Sequence, residues 1–411
     1  MPPLEPPGPT QPLPSGAGAL SLGEWLLSPT VGFSTFYDSN IHGSAANPLP
    51  GPGFHFNPGI RADYDSGLYD TQLYASIDSE VYPSLNYENN TFNRQAGMLE
   101  RYSPLPDLSF IVQGNYVHNT NAAAIVNSIP TPISPSLSPT PSAAQVVASQ
   151  TIVVNPNDTY TASATIFKQL NRAYVQLGGS VVGTYYENNP TQNFNSESYN
   201  GGGGFWFSPL FYAFGDGVQS YTDPELGAGS NYFRARAGIG SSQIGLFQGS
   251  VYYGQQGSEV NSGGKAGGDI YGGIIYFYPT VVWSMTFGVD RMRNVSDIPA
   301  AAATQALVGL PFSAVPVTPN GSAETTTISF RSNYTLTAQT SAYVVLGDTL
   351  IDMIHGSSGV DTTRFVGLGV RHQATDHLSF SLDYSYSFFT SETPNGDFSH
   401  TVITLGAVYN F

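Results

Sequence analysis

The sequence predicts an all-β protein, an antiparallel up-and-down transmembrane β-barrel of about 18 strands with short periplasmic turns and long external loops. Three observations predict it. Only 10% of the 411 residues are charged while 13% are aromatic. From Thr30 onward, hydrophobicity alternates with period two in segments of about 10 to 15 residues, the length a tilted strand needs to cross a bilayer. The last of these segments closes on an aromatic residue, Phe411.

Composition narrows the class first. A soluble surface draws roughly a quarter of its residues from charged types, so something other than water must face much of this chain. No run approaches the roughly 20 consecutive apolar residues of a transmembrane helix, and the mean hydropathy is slightly polar. A closed barrel is the other arrangement that satisfies its own backbone hydrogen bonds in lipid, and alternation hides its apolar half. Cysteine is absent, which removes disulfides, thiolate metal sites, haem attachment and cysteine nucleophiles together. A net charge of −16 with only 13 Lys and Arg argues against a nucleic-acid partner, because phosphate binding needs clustered cations.

Met1 is followed by a polar, Pro-rich stretch from Pro2 to Pro14 rather than a secretory leader, as expected of a mature chain behind an added start Met. Residues 1–25 are expected to be a flexible periplasmic segment and residues 26–411 a single barrel domain. Within the barrel, Ile60, Ala62 and Tyr64 alternate with Arg61, Asp63 and Asp65. Val175 to Tyr185 is a further strand. Phe233, Ala235, Ala237 and Ile239 alternate with Tyr232, Arg234, Arg236 and Gly238. Val281 to Val289 places Ser284, Thr286 and Asp290 inward, and Thr326 to Leu336 places Arg331 and Asn333 inward. The clearest segment runs from Leu378 to Phe388, where six apolar residues alternate with Ser379, Ser381, Asp383, Ser385 and Ser387. Gly201 to Gly204 lacks the Lys-Ser/Thr ending of a phosphate loop and reads as a place of sharp curvature or close packing.

Short links rich in Pro, Gly and Asp are expected at Asp65 to Gly67, Ser103 to Asp107, Leu170 to Arg172, Ser208 to Pro209, Tyr278 to Thr280 and Ala374 to His377, each after an even-numbered strand. Between them lie long stretches, above all Asn119 to Asp158 and Asn294 to Glu324, which read as external loops constricting a pore or as disordered tips.

In the last strand Ile403, Leu405, Ala407, Tyr409 and Phe411 occupy alternate positions. Such a strand must pair with the first to leave no edge, with the strand beginning near Thr30 as its partner. The pattern resembles the C-terminal signal read by the barrel-assembly machinery of Gram-negative outer membranes. That implies an outer-membrane location with lipid and lipopolysaccharide around the wall and both termini periplasmic. Phe36-Tyr37-Asp38-Ser39-Asn40, Asn57-Pro58-Gly59-Ile60, Arg101-Tyr102-Ser103-Pro104 and Asp107-Leu108-Ser109 resemble the β-barrel porin type 2 family. The resemblance implies a passive channel, and some of that group are similar to proteins of exopolysaccharide synthesis or export.

Chemistry is sparse. Seven histidines, His42, His55, His118, His355, His372, His377 and His400, show no HExxH or clustered spacing. His372 and His377 straddle a short turn and read as exposed turn residues, so no metal and no cofactor is implied. Ser399-His400, beside the Pro394-Asn395-Gly396 turn, is the one adjacent pair suggesting hydrolysis, and a polar loop flank explains it without catalysis. Inward charges are the stronger lead, because ionisable groups in a lumen tune what passes. The candidates are Asp38, Arg61, Asp63, Asp78, Glu80, Arg234, Arg236, Asp290, Arg331 and Asp383; the bland account is that they pair across the lumen and stiffen the wall. Inward Tyr74, Tyr232 and Tyr252 could stack on sugars, with Gln72, Gln176 and Gln248 as hydrogen-bonding partners.

A barrel of about 18 strands is too wide for side chains alone to fill. The expected function is therefore an outer-membrane channel for hydrophilic solutes, an exported polysaccharide strand among them. A non-conducting scaffold or adhesin is the alternative, and a lipid- or peptide-hydrolysing enzyme a distant third.

Overall fold

A computed structural model describes residues 20–41, 48–84, 90–120, 156–188, 190, 193–226, 229–260, 265–294, 323–353, 360–392 and 396–411. They form β1 (Leu20–Leu22), β2 (Trp25–Asp38), β3 (Gly51–Asp65), β4 (Tyr69–Val81), β5 (Thr91–Leu105), β6 (Leu108–Asn119), β7 (Asn157–Leu170), β8 (Ala173–Tyr186), β9 (Phe194–Trp206) and β10 (Phe211–Pro224). The second half comprises β11 (Ser230–Ile244), β12 (Phe247–Val260), β13 (Lys265–Thr280), β14 (Trp283–Asn294), β15 (Ala323–Thr337), β16 (Thr340–Met353), β17 (Val360–Gln373), β18 (Leu378–Thr390) and β19 (Phe398–Asn410).

From β2 to β19 each strand pairs antiparallel with its neighbour in sequence, and β19 returns to β2, so eighteen strands close into an up-and-down barrel. The seam is continuous at its end. Asn410 pairs with Thr30, and the Phe411 amide donates to the Pro29 carbonyl at 3.1 Å. Below that point β1 takes over the same strand, Leu20 opposite Leu27 and Leu22 opposite Trp25, after a turn at Gly23 with φ 66°. The expected flexible segment 1–25 is thus corrected at its C-terminal part. Leu20 to Leu22 cap the length of β2 that β19 does not reach, an exposed edge that would otherwise carry unpaired backbone groups. Residues 1–19 lie outside the described residues.

The connections 66–68, 106–107, 171–172, 207–210, 245–246, 281–282, 338–339 and 374–377 lie at one end of the barrel, the turn end; the remaining connections, most of them longer, lie at the other, the loop end. Two expected turns move. Tyr278 and Pro279 lie inside β13, and the chain reverses at Val281, whose side chain stands fully in the open. Ser103 and Pro104 lie inside β5, where the register slips between Tyr102 and Leu105. Pro is admitted in both because each sits where pairing is already irregular, close to the hairpin. Two turns carry weak signals. At 338–339 the sequence has neither Gly nor Pro, and at 245–246 a single glycine, Gly245 with φ 61°, is set among apolar residues. The interiors of the expected long loops, 121–155 and 295–322, lie outside the described residues.

Alternation sorts the faces. Phe233, Ile239, Leu382, Ile403, Leu405 and Tyr409 are exposed on the outside, as a wall bathed in lipid requires. Arg61, Arg234, Arg236 and Arg331 on the inner positions are buried against the wall. Abundant glycine has a mechanical reason here. A Cβ on Gly97 would come within 2.3 Å of the Tyr74 hydroxyl, and one on Gly369 within 2.2 Å of the Tyr343 ring. Inward tyrosines therefore lie over glycines of the next strand, flat against the wall. In the run Gly201 to Gly204, Gly204 follows the same rule, since a Cβ there would meet the Tyr174 ring at 2.5 Å, while Gly202 and Gly203 lie close to Asp216 and the Tyr174 backbone; the run is a close-packing stretch, one of the two readings its sequence offers.

Candidate functional site

The ten predicted lumen charges all fall on inward positions of their strands; nine lie in two sectors, and Asp383 on β18 stands between them. The first spans β10 to β15. Arg236 faces Asp216 directly across the β10–β11 ladder, and its Nε donates to both carboxylate oxygens at 2.9 and 2.7 Å. The same guanidinium lies over the Tyr252 ring, 4.7 Å from its centroid, and the Tyr252 hydroxyl donates to Asp290. Two residues along β11, Arg234 is only 4% exposed. Its Nη2 stays 3.9 Å from Asp216, and its Nε and Nη2 have no hydrogen-bond partner. A guanidinium offers five donors in a fixed fork; the Nε and Nη2 of this one are turned into the wall, out of solvent, so a solute reaches them only when the side chain swings toward the lumen. Arg331 Nε, farther along the wall on β15, donates to Asn333 at 3.2 Å. Asp383 on β18 accepts from the Tyr343 hydroxyl at 2.6 Å.

The second sector spans β19, β2, β3 and β4. Asp38 accepts from the Asn40 amide at 2.7 Å and meets His400 Nε2 at 2.8 Å. His55 pairs with Asp78. Glu80 accepts from the Tyr82 hydroxyl at 2.9 Å; burial pushes the Tyr82 phenol up, which keeps it a donor. Deeper in the barrel Arg61 Nη2 lies 2.7 Å from Asp63, which also accepts from Gln72 at 3.2 Å. The charges therefore pair along the wall, between neighbours, and not across the lumen as the bland account had it. A wide barrel leaves no other short path.

Of the tyrosines expected to meet sugars, Tyr74 donates to Asn115 at 3.0 Å, and Tyr252 is covered by Arg236. Tyr232 and Gln248 occupy inward positions of β11 and β12 within the first sector, and Gln176 an inward position of β8. Ser399 and His400 point to opposite faces, because they are successive residues of β19, and cannot form a dyad with each other. His372 contacts Thr340 Oγ1 at 3.0 Å and His377 contacts the Asn410 carbonyl at 2.9 Å, so neither is directed at the other.

Sequence reasoning missed three things. Asp216, the partner of the arginines, sits between Gly215 and Gly217 in a stretch whose alternation is too weak to read. Outward charges also occur: Arg94 on β5, and the pair Asp348–Arg364, 4.0 Å apart. Finally, His118, Asp158 and Glu187 meet on the outer face at the loop end. They are far apart in sequence, so only the strand register could have joined them.

Neither a family model nor a curated protein matches the sequence. Solved structures of the same shape are numerous. OpdK of Pseudomonas aeruginosa, solved with vanillate, aligns with TM-score 0.51 and 10% identity over 94% of this chain and 99% of its own. A BenF-like porin from Pseudomonas fluorescens aligns with TM-score 0.51 and 8% identity over 94% and 99%, and OccAB4 of Acinetobacter baumannii with TM-score 0.50 and 11% identity over 98% and 100%. The chain thus has the fold of outer-membrane porins. None of these names refers to polysaccharide export.

Proposed function

We propose that the protein is an outer-membrane channel for small hydrophilic solutes, and that its arginine sector favours solutes bearing a carboxylate. The observation that carries the reading is the pair Arg234 and Arg236 on one inward face of β11 against Asp216, with Arg234 holding buried, unpartnered donors that it can turn toward a solute. An eighteen-strand barrel encloses more space than inward side chains fill. A charged group on its wall with spare donors then acts on whatever passes, and a carboxylate is the acceptor that the planar fork of arginine fits best. The porin shape shared with OpdK and the BenF-like protein supports the outer-membrane location.

The test is reconstitution of the full chain in planar bilayers, with benzoate added as a small carboxylate. Discrete conductance steps that benzoate blocks at millimolar concentration support the proposal. A folded, heat-modifiable barrel that gives no conductance overturns the channel and leaves a scaffold or adhesin. Conductance that benzoate does not touch overturns the role of the arginines alone.

A further inference from the structure

We propose that the outer face of the barrel carries a binding site for a divalent transition-metal ion of the zinc class, made by His118, Asp158 and Glu187 at the loop end of β6, β7 and β8. Three neighbouring strands deliver the donors through the backbone ladder. His118 and Asp158 are direct cross-strand partners, with Nδ1 and Oδ1 3.0 Å apart. Asp158 in turn opposes Tyr185, and the Glu187 amide donates to the Pro156 carbonyl at 2.8 Å. That bond carries the ladder past the end of β8 and sets Glu187 on the same outward side as Tyr185. One donor atom from each of the three side chains lies within 4.8 Å of the others.

Bonds of about 2.0–2.2 Å from zinc to nitrogen and oxygen put neighbouring donors roughly 3.4 Å apart. The three side chains therefore need only close up by rotation, while the strands stay where they are. His118 is 8% exposed, so its ring is held rather than free in solvent. The Tyr116 hydroxyl donates to Asp158 at 2.7 Å, the kind of outer partner that orients a ligating carboxylate. One imidazole with two carboxylates suits zinc and its first-row neighbours, whereas magnesium takes oxygen ligands and keeps its water. The face points away from the lumen, so the site does not depend on the channel reading.

Arg94 is the built-in opponent. It is the cross-strand partner of His118 on the same outer face, and its charge repels an arriving cation. Removing that charge should tighten binding, an effect that loose association with scattered carboxylates would not show.

The experiment is calorimetric titration of the refolded full chain in detergent with zinc chloride alone, and with magnesium chloride as comparator. The expected result is one zinc ion per chain and no saturable magnesium binding. His118→Ala and Glu187→Gln should each weaken zinc on the order of tenfold or more, and Arg94→Gln should strengthen it. Glu187 lies beyond the strand, so Glu187→Gln decides the matter even where His118→Ala disturbs folding; heat-modifiable migration on gels reports the fold. Absence of saturable zinc binding in the parent chain overturns the proposal, as does binding that both substitutions leave unchanged, which would belong to exposed histidines such as His372.

Discussion

The two charged sectors of the inner wall stand on opposite sides of the barrel, β3 and β12 being nine steps apart in a ring of eighteen strands, and they solve the same problem differently. On β19 and β2 to β4 each named carboxylate has a partner beside it: Asp38 has His400, Asp63 has Arg61, Asp78 has His55 and Glu80 has Tyr82. On β10 to β15 one carboxylate, Asp216, sits between two arginines and satisfies only Arg236 well. The first sector is closed on itself, and the second has a guanidinium left over. On the proposed channel function, a solute crossing between them would meet an acidic wall already engaged and a basic wall with one guanidinium lacking a close partner, so the asymmetry of pairing would matter more than the count of charges.

The largest effect is expected from Arg234→Gln. A hydrogen bond to a charged group contributes about 1.5–3 kcal/mol, so block by benzoate should weaken roughly ten- to hundredfold while unblocked conductance in potassium chloride changes little. The same substitution at Arg236, whose guanidinium is already committed to Asp216 and Tyr252, should weaken block less. Equal effects at the two positions would show that the spare donors of Arg234 are not the deciding feature.

A second test acts on the wall that positions the charges. Gly369→Ala places a methyl group where the Tyr343 ring lies, 2.2 Å away, and forces the tyrosine off the wall, away from Asp383. Overpacking of this kind costs about 1–3 kcal/mol. Urea unfolding in detergent should show that loss, and bilayer recordings should show a smaller conductance, because the displaced ring moves into the lumen. Unaltered conductance with lowered stability would mean that the ring finds room elsewhere in the wall.

Smaller effects are expected from the engaged sector. His55→Gln and His400→Gln each remove the partner of a carboxylate that is less than a tenth exposed, and should raise cation over anion permeability by less than twofold. Reversal potentials in a salt gradient measure it directly. A change larger than that of Arg234→Gln would invert the comparison and make the acidic wall the selective one.

How much of this was legible in the sequence follows from what alternation can and cannot encode. Period two assigns a residue to a face, and in the structure all ten candidate charges lie on the face opposite the exposed apolar residues, as Asp383 does between Leu382 and Tyr384. The closing strand was equally legible, because Ile403, Leu405 and Tyr409 leave no doubt about which face meets lipid. Alternation says nothing about which residue of a distant strand lies opposite, since that depends on register. Asp216 opposite Arg236 and His118 opposite Asp158 are facts of register, and both were invisible. Turn residues were read well where Gly or Asp marks them, as at Asp65 to Gly67. At 281–282, where two valines reverse the chain, they were read poorly because the signal had moved to Pro279 inside the strand.

The smallest expected effect lies at the turn end and serves as the control for both sectors. Lys168 on β7 reaches Asp107 in the 106–107 turn, with Nζ 2.6 Å from Oδ2, and this hydrogen bond holds the Asp107 carboxyl below its usual range. The pair stands in water, where ion pairs are weak and salt-screened. The sign follows from linkage: a carboxyl whose folded value is depressed adds stability that is present above its unfolded value and is lost as pH falls through the folded one. Asp107→Asn should therefore lower the unfolding midpoint slightly at neutral pH, and the difference from the parent chain should vanish in acid. Unfolding midpoints at pH 7 and at pH 2, with and without added salt, check this. A difference that persists in acid would mean that the Asp107 side chain acts through the shape of the turn, and that charge pairing on this barrel contributes to function inside the lumen without contributing to stability at its rim.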